Sequence, residues 1–145
     1  MRITTKSRKR QSGQAVVESA LIMLVFLPVL IGIMDFGQFL YFHQSLAERA
    51  RAAARYGAVH TYSDGSDSAN VAVYNDPAGT ANGKTQLLPH LTTGIVSATL
   101  SGAGTDDARI TVTISNYPYN FISPYMSKST WFRTVRASEP YEIGH

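Results

Sequence analysis

The sequence predicts an α+β chain: a long N-terminal helix that crosses a membrane and continues into a small domain with an antiparallel sheet of about three strands. Three observations carry this expectation. Sixteen consecutive residues, Ser19 to Met34, hold no charge and are mostly Leu, Ile, Val, Met and Phe. The stretch that follows, HQSLAERARAAARYGAVH (43–60), has no Pro and suits a helix throughout. Further on, Ile110, Val112 and Ile114 alternate with Thr111, Thr113 and Ser115, the period of a one-sided sheet.

The order along the chain is a basic leader (1–13), a long helix (14–60) and a small α+β domain (61–145). The leader holds Arg2, Lys6, Arg8, Lys9 and Arg10, five of the chain's 13 Lys and Arg. Without them eight cations face ten anions. The basic balance therefore belongs to the N-terminus and argues against a nucleic-acid-binding surface. There are no cysteines, which excludes disulfides, thiolate metal sites and cysteine catalysis.

Ser19–Met34 makes roughly 24 Å of helix, short of the ~30 Å apolar layer of a bilayer. Starting at Gln14 gives roughly 31 Å and places the membrane segment at about 15–34. Glu18 then sits in or near the apolar layer, where a carboxylate is costly and is either functional or marks the interfacial helix end. Pro28 and Gly32 lie inside the run, and a membrane helix tolerates such a Pro at a kink or packing site. Asp35, Phe36, Gln38, Phe39, Tyr41 and Phe42 follow as an interfacial belt. Five cations precede the span and three (Arg49, Arg51, Arg55) follow it closely, so the N-terminus is expected in the cytoplasm and residues 43–145 outside.

Nothing separates the apolar run from residues 43–60, so one helix is expected from about Gln14 to about Ala58. Leu46, Ala50, Ala53, Ala54 and Gly57 give it a small-residue face for a packed domain. Arg51 and Arg55, and likewise Glu48 and Arg51, share a face that reads as solvated and ion-paired. Residues 62–83 hold the turn signals Asp64-Gly65, Asp76-Pro77 and Asn82-Gly83. Lys84–Leu88 suits a single helical turn stopped by Pro89. Strands are expected at Ile95–Leu100, Ile110–Ser115 and Arg133–Glu142, with SGAGTDDA as the hairpin loop between the first two. Residues 117–131, rich in Tyr, Phe and Pro, read as an irregular connection. Its aromatics (Tyr117, Tyr119, Phe121, Tyr125, Trp131, with Phe132) suit packing on the long helix or resting on the membrane better than a ligand groove.

No arrangement suggests catalysis, a metal or a cofactor. His43, His60, His90 and His145 are scattered without the i,i+4 spacing of a zinc helix. The acidic segment 64–68 lacks the sixth-position Gly and twelfth-position Glu of a calcium loop, and Asp106-Asp107 reads as turn chemistry. No phosphate-cradling loop or nucleophile elbow occurs.

The N-terminal residues Lys9-Arg10-Gln11-Ser12-Gly13, then Gln14-Ala15-Val16-Val17-Glu18-Ser19-Ala20-Leu21, resemble a type IV prepilin signal. Together with the Ala/Arg-rich helix ending Ala54-Arg55-Tyr56-Gly57-Ala58, they resemble the TadE-like family, pseudopilin-like minor components of tight-adherence (Flp/Tad) pilus systems. The resemblance implies a pilin-like fold and a structural, non-enzymatic role. It implies cutting by a prepilin peptidase after Gly13, with Gln14 and Glu18 as processing and subunit-pairing residues. It also implies other pilin or pseudopilin subunits and the assembly platform as partners, and a place in the bacterial inner membrane or the pilus. Here Ser19 stands where the family often has an aromatic, and Gln14 where better-known major pilins have Phe. Two other readings remain at this point. One is a secreted or membrane-anchored periplasmic binding protein, with Ser45-Leu46-Ala47 as the signal-peptide cleavage site of the secreted form. The other is a membrane-anchored enzyme, for which residues 61–145 supply no recognisable constellation.

Overall fold

One helix, α1, runs without interruption from Lys9 to Ala58, 50 residues or roughly 75 Å. The computed structural model describes residues 9–123 and 134–142, with side chains from residue 13. The helix starts five residues before the expected Gln14, because Lys, Arg and Gln at 9–11 are good helix formers and extend the first turn. Pro28 lies inside it, and the helix continues on both sides. From Val16 to Met34 its large apolar side chains are exposed, and a stretch of it is long and apolar enough to cross a membrane. Beyond Asp35 one face becomes buried: Leu46, Ala50, Ala53 and Ala54 are fully covered.

What covers them is a small α+β unit. A second helix, α2 (Ser66–Tyr74), is followed by three strands: β1 (Val96–Ser101), β2 (Arg109–Ile114) and β3 (Val135–Pro140). The sheet is antiparallel in the order β1-β2-β3. Ala98 faces Val112, and Val112 faces Ala137. The expected α+β architecture and three-stranded antiparallel sheet are therefore present. The third strand is shorter than expected; Arg133 lies outside the described residues, and Pro140 closes the strand where it can no longer donate to the ladder. Helix α1 packs across β2 and β3, while α2 fills the space between α1 and β1.

Helix α2 lies within residues 62–83, where the sequence reading has turn signals and no helix. The turn signals bound it instead of replacing it. Gly65 precedes it at φ +83°, and a side chain there would strike the Ala98 carbonyl, so the position needs glycine. Ser68, Ala69, Val71, Ala72 and Val73 are buried, a pattern that its short length hid among the turn residues. The expected helical turn at Lys84–Leu88 is absent; a 3₁₀ turn occurs earlier, at Gly79–Asn82. Asp76 holds it there by accepting hydrogen bonds from the Ala78 N–H and the Asn82 side-chain amide. Those hydrogen bonds keep the Asp76 carboxyl below the usual aspartate range. The expected ion-paired face at Glu48, Arg51 and Arg55 does not form; these three exposed side chains have no ion pair among the described residues. Their long side chains remain in water, where pairing stabilises little.

Gly57 fixes how closely α1 approaches the rest. A Cβ at this buried position would collide with the Ile110 side chain and the Ser68 hydroxyl. Ile110 is fully buried in the sheet, so it has no room to yield. Gly57→Ala should therefore destabilise the domain by about 1–3 kcal/mol despite alanine's better helix propensity. Thermal unfolding in detergent checks this, and an unchanged or raised Tm contradicts the close-packing account.

Candidate functional site at the two ends of the apolar run

The exposed apolar run is bounded by two carboxylates, Glu18 and Asp35, and the structure treats them differently. At the inner end, Gly13, Gln14 and Glu18 all lie on α1 and are exposed. No atom comes within 4 Å of where a Cβ on Gly13 would stand. Gln14 and Glu18 are four residues apart and share one helix face. The Ser19 hydroxyl bonds back to the Ala15 carbonyl at 2.9 Å, a local helix contact. Among the described residues no other element packs against these three.

At the outer end Asp35 is 2% exposed. One carboxylate oxygen accepts the Ile122 N–H at 2.7 Å, and the other accepts the Ser123 N–H at 2.9 Å. These hydrogen bonds pin the end of a strap, residues 117–123, that follows the left-handed Asn116 (φ +55°) after β2 and packs along α1. Every second residue of the strap turns toward the helix. Tyr117 packs against Phe42, and its hydroxyl donates to the Pro89 carbonyl at 2.7 Å. Tyr119 meets Phe42 and Phe39 edge-on, with ring centroids 5.5 Å and 6.0 Å apart. Phe121 stacks on Phe39. The Tyr119 hydroxyl reaches the Asp35 carbonyl and Gln38 at 3.4 and 3.5 Å. Burial first, and the Asp35 charge second, push the Tyr119 phenol above its usual pKa.

Packing of the aromatic cluster on the long helix is thus observed for Tyr117, Tyr119 and Phe121. Tyr125, Trp131 and Phe132 lie outside the described residues. Sequence reasoning missed the role of Asp35, which reads as one more interfacial residue. The signal was in the partner segment: Tyr117-Pro118-Tyr119-Asn120-Phe121 alternates aromatic and non-aromatic with period two, the mark of an extended segment with one face covered.

The family model described as TadE-like protein matches residues 13–55. Over that segment the chain is similar to the TadE-like family. No curated protein and no solved structure matches the chain. The TadE-like segment holds both bounding carboxylates. It extends through Phe39, Phe42 and Leu46, which the strap and sheet cover, to Arg55, two residues before the close contact at Gly57. The resemblance seen in the residues and the family match thus coincide on one stretch. A TadE-like segment of this kind is generally structural, and its single N-terminal apolar helix fits a single-pass membrane protein.

Proposed function

We propose that this protein is a minor pilin or pseudopilin of tight-adherence (Flp/Tad) pilus assembly. A prepilin peptidase cuts it after Gly13, and it works as a structural subunit without enzymatic activity. The TadE-like match over 13–55 carries this reading. The basic leader, Gly13 and Glu18 stand in the matching order at the head of the apolar run. Cutting after Gly13 removes the five cations that hold the N-terminus in the cytoplasm. The remaining helix then enters a bundle of other pilin-like subunits from the inner membrane, with residues 61–145 outside as a head. The partners on this reading are the peptidase, the assembly platform, sister subunits and the lipid bilayer. Nucleic acid and cofactors have no part in it.

The geometry disfavours the alternative of a secreted binding protein. A cut at Ser45-Leu46-Ala47 removes Phe39, Phe42 and Leu46, which pack with Tyr117 and Tyr119 in the core. It also removes Asp35, which pins the strap. A released domain loses much of its own interior, whereas a cut after Gly13 leaves all of it in place.

The test is the mass of the chain expressed with and without a prepilin peptidase. Loss of residues 1–13 is expected, and Gly13→Leu should abolish that loss while the chain still enters the membrane. Identical masses with and without the peptidase reject the processing.

A further inference from the structure

Two placements of α1 in a bilayer fit its length, and the structure separates them. An apolar layer of ~30 Å takes about 20 residues of helix. It can run from about Gln14 to Met34, or from about Ser19 to Gln38. The first immerses Glu18, which is exposed and has no hydrogen bond or ion pair among the described residues. A carboxylate in that state is costly in an apolar layer. The second immerses Asp35, which is already out of solvent, with both carboxylate oxygens bonded to backbone N–H groups. Its desolvation is met within the chain, so lipid adds little to its cost. The outer placement is therefore lower in free energy, and it leaves Glu18 at the inner headgroups.

The outer placement carries part of the head into the membrane. A helical side chain leans toward the N-terminus of its helix, so the Asp35 carboxylate lies on the membrane side of its own Cα. The Ile122 and Ser123 N–H groups meet it at 2.7 and 2.9 Å. That end of the strap therefore stands at about the level of Asp35, three residues or roughly 4.5 Å inside Gln38.

Its chemistry suits that depth. Irregular backbone survives in an apolar layer only where protein satisfies its polar groups, and Asp35 satisfies both of these N–H groups. The Tyr119 hydroxyl is turned in on the Asp35 carbonyl and Gln38. Farther from the membrane, Asn116 and Asn120 are exposed. At the pinned end the exposed side chain is Ile122, 52% exposed. On α1, Phe36, Leu40 and Tyr41 are exposed at and just beyond the same level. Together they continue, past the buried Asp35, the exposed apolar surface of the helix.

We propose that the strap end, Phe121 to Ser123, lies within the outer edge of the bilayer's apolar layer, which runs from about Ser19 to about Gln38. The partner of Ile122 is lipid, at the boundary of acyl chains and headgroups. The head then holds the membrane at a second point beside α1, and this anchor helps to set its depth and tilt. Asp35 lets an irregular segment enter lipid without bare N–H groups. The proposal rests on α1 as a single-span anchor and is independent of leader cleavage.

The chain has no cysteine, so single cysteines report on single positions. Full-length Ile122→Cys, Ser97→Cys and Val25→Cys are labelled with a small environment-sensitive fluorophore and reconstituted in vesicles of phosphatidylcholine and phosphatidylglycerol. Nitroxide-bearing lipids then report depth. Residue 25 should be quenched most by a nitroxide deep in the acyl chain. Residue 122 should be quenched most by one near the headgroup, and residue 97, exposed on the sheet, by neither. On the unlabelled variants, a membrane-impermeant alkylating reagent should react about tenfold more slowly at residue 122 than at residue 97, because the reactive thiolate is disfavoured in the apolar layer. The protein leaves position 122 half open, so the fold alone does not impose that difference. Alkylation at residue 122 as fast as at 97, or quenching no stronger than at 97, overturns the immersion of the strap and leaves the anchor standing. Quenching at residue 122 as deep as at 25 overturns the placement at the outer edge. An unquenched residue 25 rejects the anchor, and the immersion with it.

Discussion

Asp35→Leu should release the strap from α1 and destabilise the head. The carboxylate accepts two backbone N–H groups, from Ile122 and Ser123, at a buried position. Hydrogen bonds to charged groups contribute about 1.5–3 kcal/mol each, so losing both costs about 3–6 kcal/mol. A small domain has only about 5–15 kcal/mol in total. Leucine offers no acceptor, so the Ile122 and Ser123 N–H groups at the end of the strap lose their partner. Amide exchange at Ile122 and Ser123 should quicken by a factor of about 100 or more, and the Tm in detergent should fall. Asp35→Asn keeps one acceptor oxygen and should fall between the two. The sign separates this account from a purely membrane one. If Asp35 only marked the end of the apolar run, leucine would extend that run by one residue and favour insertion, with no effect on exchange 87 residues away in sequence. Unchanged exchange at Ile122 and Ser123 in Asp35→Leu removes the pinning role.

The contrast between Asp35 and the small-residue face of α1 shows what the sequence makes legible. Leu46, Ala50, Ala53, Ala54 and Gly57 recur at helical spacing, so their shared face is a local property, and all five are buried. The alternation at Ile110, Val112 and Ile114 is likewise local, and it marks the central strand correctly. Asp35 is buried by residues far along the chain, and no local pattern states that. Helix α2 failed for a different reason. It has nine residues between Gly65 and Asn75, both at positive φ, so turn chemistry dominates any window long enough to show its period. At the inner end of the apolar run, the order of Gly13, Gln14 and Glu18 is fully legible. No element among the described residues packs against them, so the fold itself assigns them no role.

Glu18→Gln should leave the protein cleaved and inserted but unable to associate with its partner subunits. Glu18 is exposed on α1, about one turn past Gln14, near where the apolar layer begins. An ionised carboxylate there, unpaired and away from water and headgroups, costs several kcal/mol. On the proposed function, cleavage after Gly13 creates a new amine on Gln14, a cation at a similar depth. Within one helix the two lie along the same face and cannot fix anything between subunits. Between neighbours, the amine of one and Glu18 of the next neutralise each other, and only one axial stagger brings them together. Such a pair would set register as well as remove the cost of the charge. A carboxylate near a helix start also complements the helix dipole, which stabilises by ~1 kcal/mol or less. Were that the whole role, Gln, which keeps the helix and the side-chain size, would assemble nearly normally. Under pairing, the Gln14 amine loses its counter-charge in an apolar setting and the subunits separate, while cleavage continues because Gly13 is untouched. Crosslinking or co-purification of partner subunits from Glu18→Gln membranes decides between the two. Recovery at the wild-type level discards the pairing role and leaves Glu18 as a helix-start residue.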